Sequence, residues 1–400
     1  MTNDKIGLWL IGARGGVAAT ALLGLEWLKR RQLNGWGLVS NTPSFAAVPL
    51  LDWSQVVVGG HEIRSTTLVE AARQLAESSR AFDPRLVHDC QSELEQIEAR
   101  IRPGVVRGCG NAIANLADAS HVRDVATPRA AIDLVQSDLK DFIEREQVKR
   151  VVMINVASTE PRPKMAEWPD RWSDWDSMLS DEQTTIPASA LYAIAAIELG
   201  QAYVNFTPSI GSDCAAIREL AMSTGACHAG RDGKTGETWL KSVLAPAFAA
   251  RNLEVMSWVG HNIFGNLDGR ILDDPLNKAS KVSSKDHLLG EILGYTPQTH
   301  VSIEYIRSLG DWKTAWDHIH FRGFLGTPMI LQFTWQGCDS ILAAPMVLDL
   351  LRFTELALRR GERGELTCLS PFFKSPQGAR SHEFAMQMQE LVRWANSNGA

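Results

Sequence analysis

Four lysines stand where an amine could do chemistry. Lys281 and Lys285 are four apart in "NKASKVSSKDHLLGEIL", on one face if that run starts a helix. Lys313 in "LGDWKTAWD" and Lys374 in "SPFFKSPQG" have apolar or aromatic neighbours. An amine drawn out of water loses basicity, moves toward useful acid–base values and holds an oxyanion or phosphate more firmly. The plain alternative is four solvated surface lysines, the commonest state of that residue. Asp268 in "GNLDG", Asp311 in "GDWK" and Asp339 in "GCDS" occupy turn-like settings, where aspartate commonly serves local hydrogen bonds.

The stretch "AGRDGKTGET" at 229–238 is a second candidate. Its "GKT" resembles the end of a triphosphate-binding loop, but such a loop needs glycine five positions before Gly233, and residue 228 is histidine. What survives is a glycine-rich turn running into the amphipathic "TWLKSVLAPAF", a helix start whose backbone N–H groups can receive an anion. The ordinary alternative makes Thr235 a helix cap, with Glu237 and Thr238 in the first turn.

These groups need a frame, and the first thirty residues supply its clearest piece. "IGLWLIG" is a short, wholly apolar strand, "ARGG" a turn, and "VAATALLGLEWLKRRQL" carries apolar residues at helical spacing. Strand, glycine turn and helix open a dinucleotide-binding unit. The glycines are Gly12, Gly15 and Gly16, with Arg14 where the usual pattern has its second glycine and Ala18 where a third would fall. A glycine turn that merely tightens the junction is the alternative. "SQVVVGGHEI" reads as another buried strand and offers Glu62 as an acceptor for a ribose hydroxyl, although its separation from the turn is about twice the usual one. "VKRVVMINVAST", after the helix "ATPRAAIDLVQSDLKDFIEREQ", is a third strand, with Ser158 and Thr159 at the carboxyl end where ligands sit in open α/β sheets.

From about 236 the character changes. "NLEVMSWVGHNIFG", "HVSIEYIRSL" and "TPMILQFTWQG" read as strands with fewer long helices between them, a sheet suited to packing and assembly. The helix "SILAAPMVLDLLRFTELALRRG" then returns, and could cover the first sheet. The expected fold class is therefore α/β: a discontinuous Rossmann-type NAD-binding domain over 1–235 and 336–400, around a central α+β catalytic and oligomerisation domain over 236–335.

Composition bounds the partners. An apolar share of 45% supports sizeable cores, and a net charge of −6 with no Lys/Arg block argues against nucleic acid. The apolar run after the N-terminus is too short to span a membrane and lacks a cleavage pattern, so a cytoplasmic protein without a membrane partner is expected. The six cysteines show no C-x-x-C pair, against a disulfide scaffold or zinc module.

Read in order, these segments resemble the myo-inositol-1-phosphate synthase family. "AGRDGKTGET" with "LAPAF", "VMSWVGHNIFGNLDG", "SKVSSKD", "GDWKTAWD", "CDSILAAPMVLDLL" and "SPFFK" follow the family's order and rough spacing, from about 225 to 375. Upstream, "GARGGVAAT" stands at its glycine turn, "VVGGHEI" is similar to its Gly-Gly-Trp-Asp-Ile, and "NVASTEPRP" to its Asn-Thr-Glu stretch. The resemblance implies a redox-neutral cyclisation of glucose 6-phosphate: oxidation at C5, enolisation at C6, attack on the C1 aldehyde and return of the hydride. It implies NAD held by Gly12, Ala13, Arg14, Gly15, Gly16, Val17, Glu62, Ser158 and Thr159. Lys281 and Lys374 would serve the C5 oxygen, and Lys313, oriented by Asp311, the C1 oxygen. Lys285, Thr235 and Gly236 would take the phosphate, with Asn266 also on the substrate. Asp232, Asp268 and Asp339 would line the nicotinamide ribose or hold a divalent or monovalent cation. A homotetramer joined through the central sheet is the expected assembly. One departure stands out: where the family has Asn-Gly-Ser-Pro-Gln-Asn-Thr, this chain has "NFTPSIGS", with Phe206, Ser209 and Ile210. Three other readings stay open: a cyclase of another sugar phosphate such as fructose 6-phosphate, a simple NAD-dependent dehydrogenase, and a non-catalytic NAD-binding regulator.

Overall fold

The computed structural model describes residues 4–266, 269 and 288–397; Lys281, Lys285 and Asp268 lie outside them. The chain builds two sheets. The first takes β1 (Lys5–Ile11), β2 (Val56–Glu62), β3 (Ile101–Pro103), β4 (Val148–Asn155), β5 (Ala202–Asn205) and β6 (Cys227–Gly230). The second takes β7 (Glu254–Phe264), β8 (Gln298–Tyr305), β9 (Trp312–Arg322) and β10 (Pro328–Cys338), after which β11 (Gly364–Glu365) rejoins the first.

The first sheet runs β11-β6-β5-β4-β1-β2-β3, with every neighbouring pair parallel. The central strand β1 is a near-continuous apolar run because helices cover both faces of the sheet. One layer joins helices Gly16–Lys29 and Asp339–Arg359 through Ala18, Leu22, Val347 and Leu351; the other joins helices Pro128–Glu146 and Ala188–Glu198 through Leu139, Leu191 and Ile194. The return helix thus packs on the first sheet, as its sequence suggests. Strand order reverses at β1, between β2 and β4, and ligands of such sheets bind outside the carboxyl ends at that point.

The second sheet runs β10-β9-β7-β8, with β9 antiparallel to both neighbours and β7 parallel to β8. Three of its strands are legible as strands in the sequence; β9 is not. Its inward positions are Lys313, Ala315, Asp317 and Ile319, all buried, so charged residues interrupt the alternation that marks a half-buried strand. Helix Glu237–Ala250 packs on this inner face, Phe248 against Val255, Trp258 and Ile319. The outer face carries a half-exposed aromatic row, His261 stacked on Trp316 with ring centroids 5.7 Å apart. Among the described residues no helix is long and apolar enough to cross a membrane.

Candidate active site

The glycine turn closes one wall of a cavity of about 600 Å³ at the switch point. Gly12 has φ +80°, and a Cβ there would lie 2.9 Å from the Cα of Ala157, so the turn can pass the loop after β4 only with glycine. Gly15 caps helix Gly16–Lys29 without a side-chain hydrogen bond, leaving the first-turn N–H groups to the cavity. Gly16 sits so close to Ser340 that a Cβ would meet its Oγ at 2.8 Å. Arg14, Val17, Ser158 and Thr159 line the same wall. Ala13 does not; it is fully buried beneath the turn, and its N–H donates to the His61 carbonyl at 3.1 Å.

Glu62 reaches this wall despite its distance in sequence. β2 lies beside β1, and three short 3-10 turns at Val39–Asn41, Pro43–Phe45 and Trp53–Gln55 absorb part of the extra residues. Its Oε2 accepts from the Arg14 backbone N–H at 2.9 Å and from Arg64 Nη2 at 3.0 Å; Oε1 accepts from Ile63 N–H at 2.9 Å and Arg64 Nε at 3.2 Å. Burial works against the carboxylate, yet the Arg64 fork and these N–H groups hold its pKa below the usual value.

The opposite wall carries Asp232, Gly233, Thr235, Asn266, Asp311, Asp339 and Lys374. Lys374 Nζ meets Asp232 Oδ1 at 2.7 Å, both side chains buried, and the Lys374 N–H donates to the Asp232 carbonyl. Thr235 is not a helix cap. Gly236 is the cap residue, with no side-chain bond, and packs against Trp335 rather than lining the cavity, where a Cβ would come 2.5 Å from the indole nitrogen. The "NFTPSIGS" departure does border the cavity through Phe206, Thr207 and Pro208, and the Phe206 ring lies on Gly233 where any Cβ would clash.

A model of the family described as myo-inositol-1-phosphate synthase matches residues 37–396. The chain belongs to that family. Its relatives include the inositol-3-phosphate synthase 1 of Bacteroides thetaiotaomicron, 31% identical over 98% of this chain and 94% of that protein. Another is the inositol-3-phosphate synthase 1 of Oryza sativa, 27% identical over 90% of this chain and 76% of that protein. The fold is shared with the inositol-3-phosphate synthase of Caenorhabditis elegans, at TM-score 0.87 and 23% identity, over 98% of this chain and 85% of that one. The family match begins after the glycine turn, so the turn's part in the site rests on the geometry above.

Within this synthase fold, two expected contacts take another form. Asp311 does not orient Lys313: its carboxylate accepts from Ser340 N–H at 2.8 Å, Ser340 Oγ at 3.0 Å, Cys338 Sγ at 2.8 Å and Asn266 Nδ2 at 3.4 Å. Burial raises its pKa, opposed by those donors. Lys313 lies outside the cavity lining, on the inward face of β9, its Nζ 5.6 Å from the centroid of the Phe264 ring. It shares that face with a buried polar group that the sequence reading did not single out. Lys241 Nζ is 2.7 Å from Glu237 Oε1 and 3.8 Å from Asp317 Oδ1, which also accepts from Trp258 Nε1 at 2.7 Å. Asn262, fully buried on the neighbouring β7, has no partner for either amide atom among the described residues. A buried amide left without any partner costs about 1–3 kcal/mol. The Glu237 and Lys241 spacing of four was the only sequence signal available.

Glu160 is a further cavity residue that sequence reasoning passed over. Ser189 donates to it through both its N–H and its hydroxyl, and burial nevertheless pushes the carboxyl up to about 7. The Glu160 N–H in turn donates to Ser209 Oγ at 3.0 Å, which is what Ser209 of the departing stretch does, while Ile210 is buried in the core.

Proposed function

We propose that this chain is a NAD-dependent, redox-neutral cyclase converting glucose 6-phosphate to myo-inositol 1-phosphate. One observation carries the reading: a single cavity joins an uncapped helix start behind a glycine turn to a buried lysine–aspartate pair on the opposite wall. The residues present fit NAD. The turn would hold the pyrophosphate on the first-turn N–H groups, where any Cβ at Gly12 or Gly16 would collide with its surroundings, and Glu62 stands at the ribose position. When bound, NAD supplies a reversible hydride acceptor at the C5 carbon.

The chain's own work is proton transfer and charge stabilisation. Lys374, held by Asp232, would carry the C5 hydroxyl proton together with Lys281 and stabilise the oxyanion formed there. Lys313 would serve the C1 oxygen, from the inner face it shares with Asn262, and Lys285 and Thr235 the phosphate, with Gly236 setting the helix start behind them. Asn266 and Asp339 complete the wall near the sugar and ribose. A cation at Asp232 would have to share its carboxylate with the Lys374 ammonium, which suits a weakly held ion at most, and no step is routed through one. The segments 1–235 and 336–400 would form the NAD-binding domain around 236–335.

A cyclase returns the hydride before product leaves, so NAD is regenerated in each cycle. Substoichiometric NAD is therefore expected to support many turnovers of glucose 6-phosphate, with deuterium at C5 retained in the product and no lasting NADH absorbance. NADH accumulating in proportion to substrate consumed would replace this reading with a simple dehydrogenase. Phe206 against the cavity favours testing fructose 6-phosphate in parallel, because an aromatic ring alters the sugar-facing surface.

The second sheet supports assembly as a homotetramer. The edge strand β10 exposes Met329, Ile330 and Leu331, and the turn before it leaves Phe324 and Leu325 90% and 87% exposed. Long apolar edges of this kind need cover. Light scattering on the purified protein is expected to give four times the chain mass, and Ile330→Lys to lower it; a monomer at micromolar concentration would refute the assembly.

A further inference from the structure

The turn and the end of β2 carry two arginines beside the expected ribose acceptor, which a site for unphosphorylated NAD alone does not need. Arg64 lines the cavity, a quarter exposed, and forks onto both oxygens of Glu62 at 3.0 and 3.2 Å. Arg14 also lines it, buried; its Nη atoms bind Glu98 and the Arg64 carbonyl, while its Nε has no partner among the described residues. In dinucleotide sites of this fold, the acidic residue at this position binds the 2′-hydroxyl of NAD, and a nearby arginine accommodates the 2′-phosphate of NADP.

Resting on the NAD-site reading above, we propose that this pocket takes both coenzymes, with Arg64 as the residue that decides between them. Paired with Glu62, Arg64 covers the carboxylate that the ribose diol needs. For NAD the arginine swings outward and Glu62 accepts the diol. For NADP it turns to the 2′-phosphate, where guanidinium matches oxyanion in a charge-assisted fork. Glu62 is not stranded when Arg64 leaves: the N–H groups of Arg14 and Ile63 still hold its two oxygens at 2.9 Å. Two occupants can therefore use the pocket with one side-chain rotation between them.

Calorimetric titration of the full-length protein with NAD⁺ and with NADP⁺ tests this. Both should bind to wild type within about tenfold of each other. Arg64→Ala should weaken NADP⁺ by about tenfold or more while leaving NAD⁺ equal or tighter. Glu62→Gln should do the reverse, weakening NAD⁺ more than NADP⁺. Melting curves of both variants separate these effects from misfolding. NAD⁺ binding without measurable NADP⁺ binding, or an Arg64→Ala loss equal for the two, overturns the proposal and leaves the NAD site standing. Binding of neither coenzyme overturns both.

Discussion

Lys374→Met is expected to reduce turnover by about 10²–10³-fold while leaving NAD affinity nearly unchanged, the usual cost of losing one preorganised donor at an oxyanion. The structure adds a second effect. Its ammonium lies 2.7 Å from Asp232 in a buried pair, and breaking such a pair by removing one partner costs about 3–5 kcal/mol. That is a large share of the stability of an ordinary domain, so lost activity alone would not separate chemistry from folding. The double variant Asp232→Asn with Lys374→Met removes the buried charge as well as its partner. It should recover much of the melting temperature and none of the turnover. A folded Lys374→Met enzyme with more than half of wild-type turnover, or a double variant that regains activity, would remove Lys374 from the chemistry.

Lys234→Met should stabilise the protein, most strongly below neutral pH. The amine is buried, donates to Gln387 Oε1 at 2.7 Å and lies 5.9 Å from the Phe384 ring centroid. Burial pushes it down to about 7 from the usual lysine value of 10.5. The folded protein thus binds fewer protons than the unfolded chain between these values, and stability rises with pH across that window. Below about 7 the full penalty applies, at most about 5 kcal/mol, against about 1–3 kcal/mol for leaving Gln387 Oε1 without a donor. The balance favours methionine at pH 6 and narrows or reverses near pH 10. Urea denaturation at several pH values measures it; equal or lower stability of Lys234→Met at pH 6 would show that the lysine is compensated in a way this balance omits.

Lys234 also shows where the sequence misleads. Its "GKT" setting suggests a phosphate-gripping lysine, yet the side chain turns away from the cavity to helix Phe384–Asn396, while its neighbours Asp232, Gly233 and Thr235 face in. The alternation of a loop is set by backbone torsions that residue types alone do not determine. In the first sheet β1, β2 and β4 were legible because each holds an apolar run close to a helix of clear period, whereas β3, β5, β6 and β11 are too short, at 3, 4, 4 and 2 residues, to show a pattern. β9 was hidden because its inward face carries Lys313 and Asp317; the burial of Asp317 makes sense only once Lys241, with its partner Glu237, and Trp258 are placed around it. Asp311 was read as the partner of its sequence neighbour but bonds instead to Ser340, 29 residues away, a contact that exists only because the helix after β10 returns to the first sheet. Glu62 reaches the turn in spite of its spacing, since strand adjacency, not chain distance, brings it there.

The return of the chain to its first sheet has a consequence for the order in which the molecule is made. β11 and helix Asp339–Arg359 follow the whole second sheet, and Lys374 follows Asp232 by 142 residues. At about 5–20 residues per second, a ribosome needs roughly seven to thirty seconds to cover that interval. For most of it, until Val347 and Leu351 are translated, the nascent protein presents an oily helix flank at Ala18, Leu22 and Leu25 without its lid. Folding must therefore finish after synthesis of the last quarter of the chain, and the partly made protein is a natural client for a chaperone that shields apolar surface until the lid arrives.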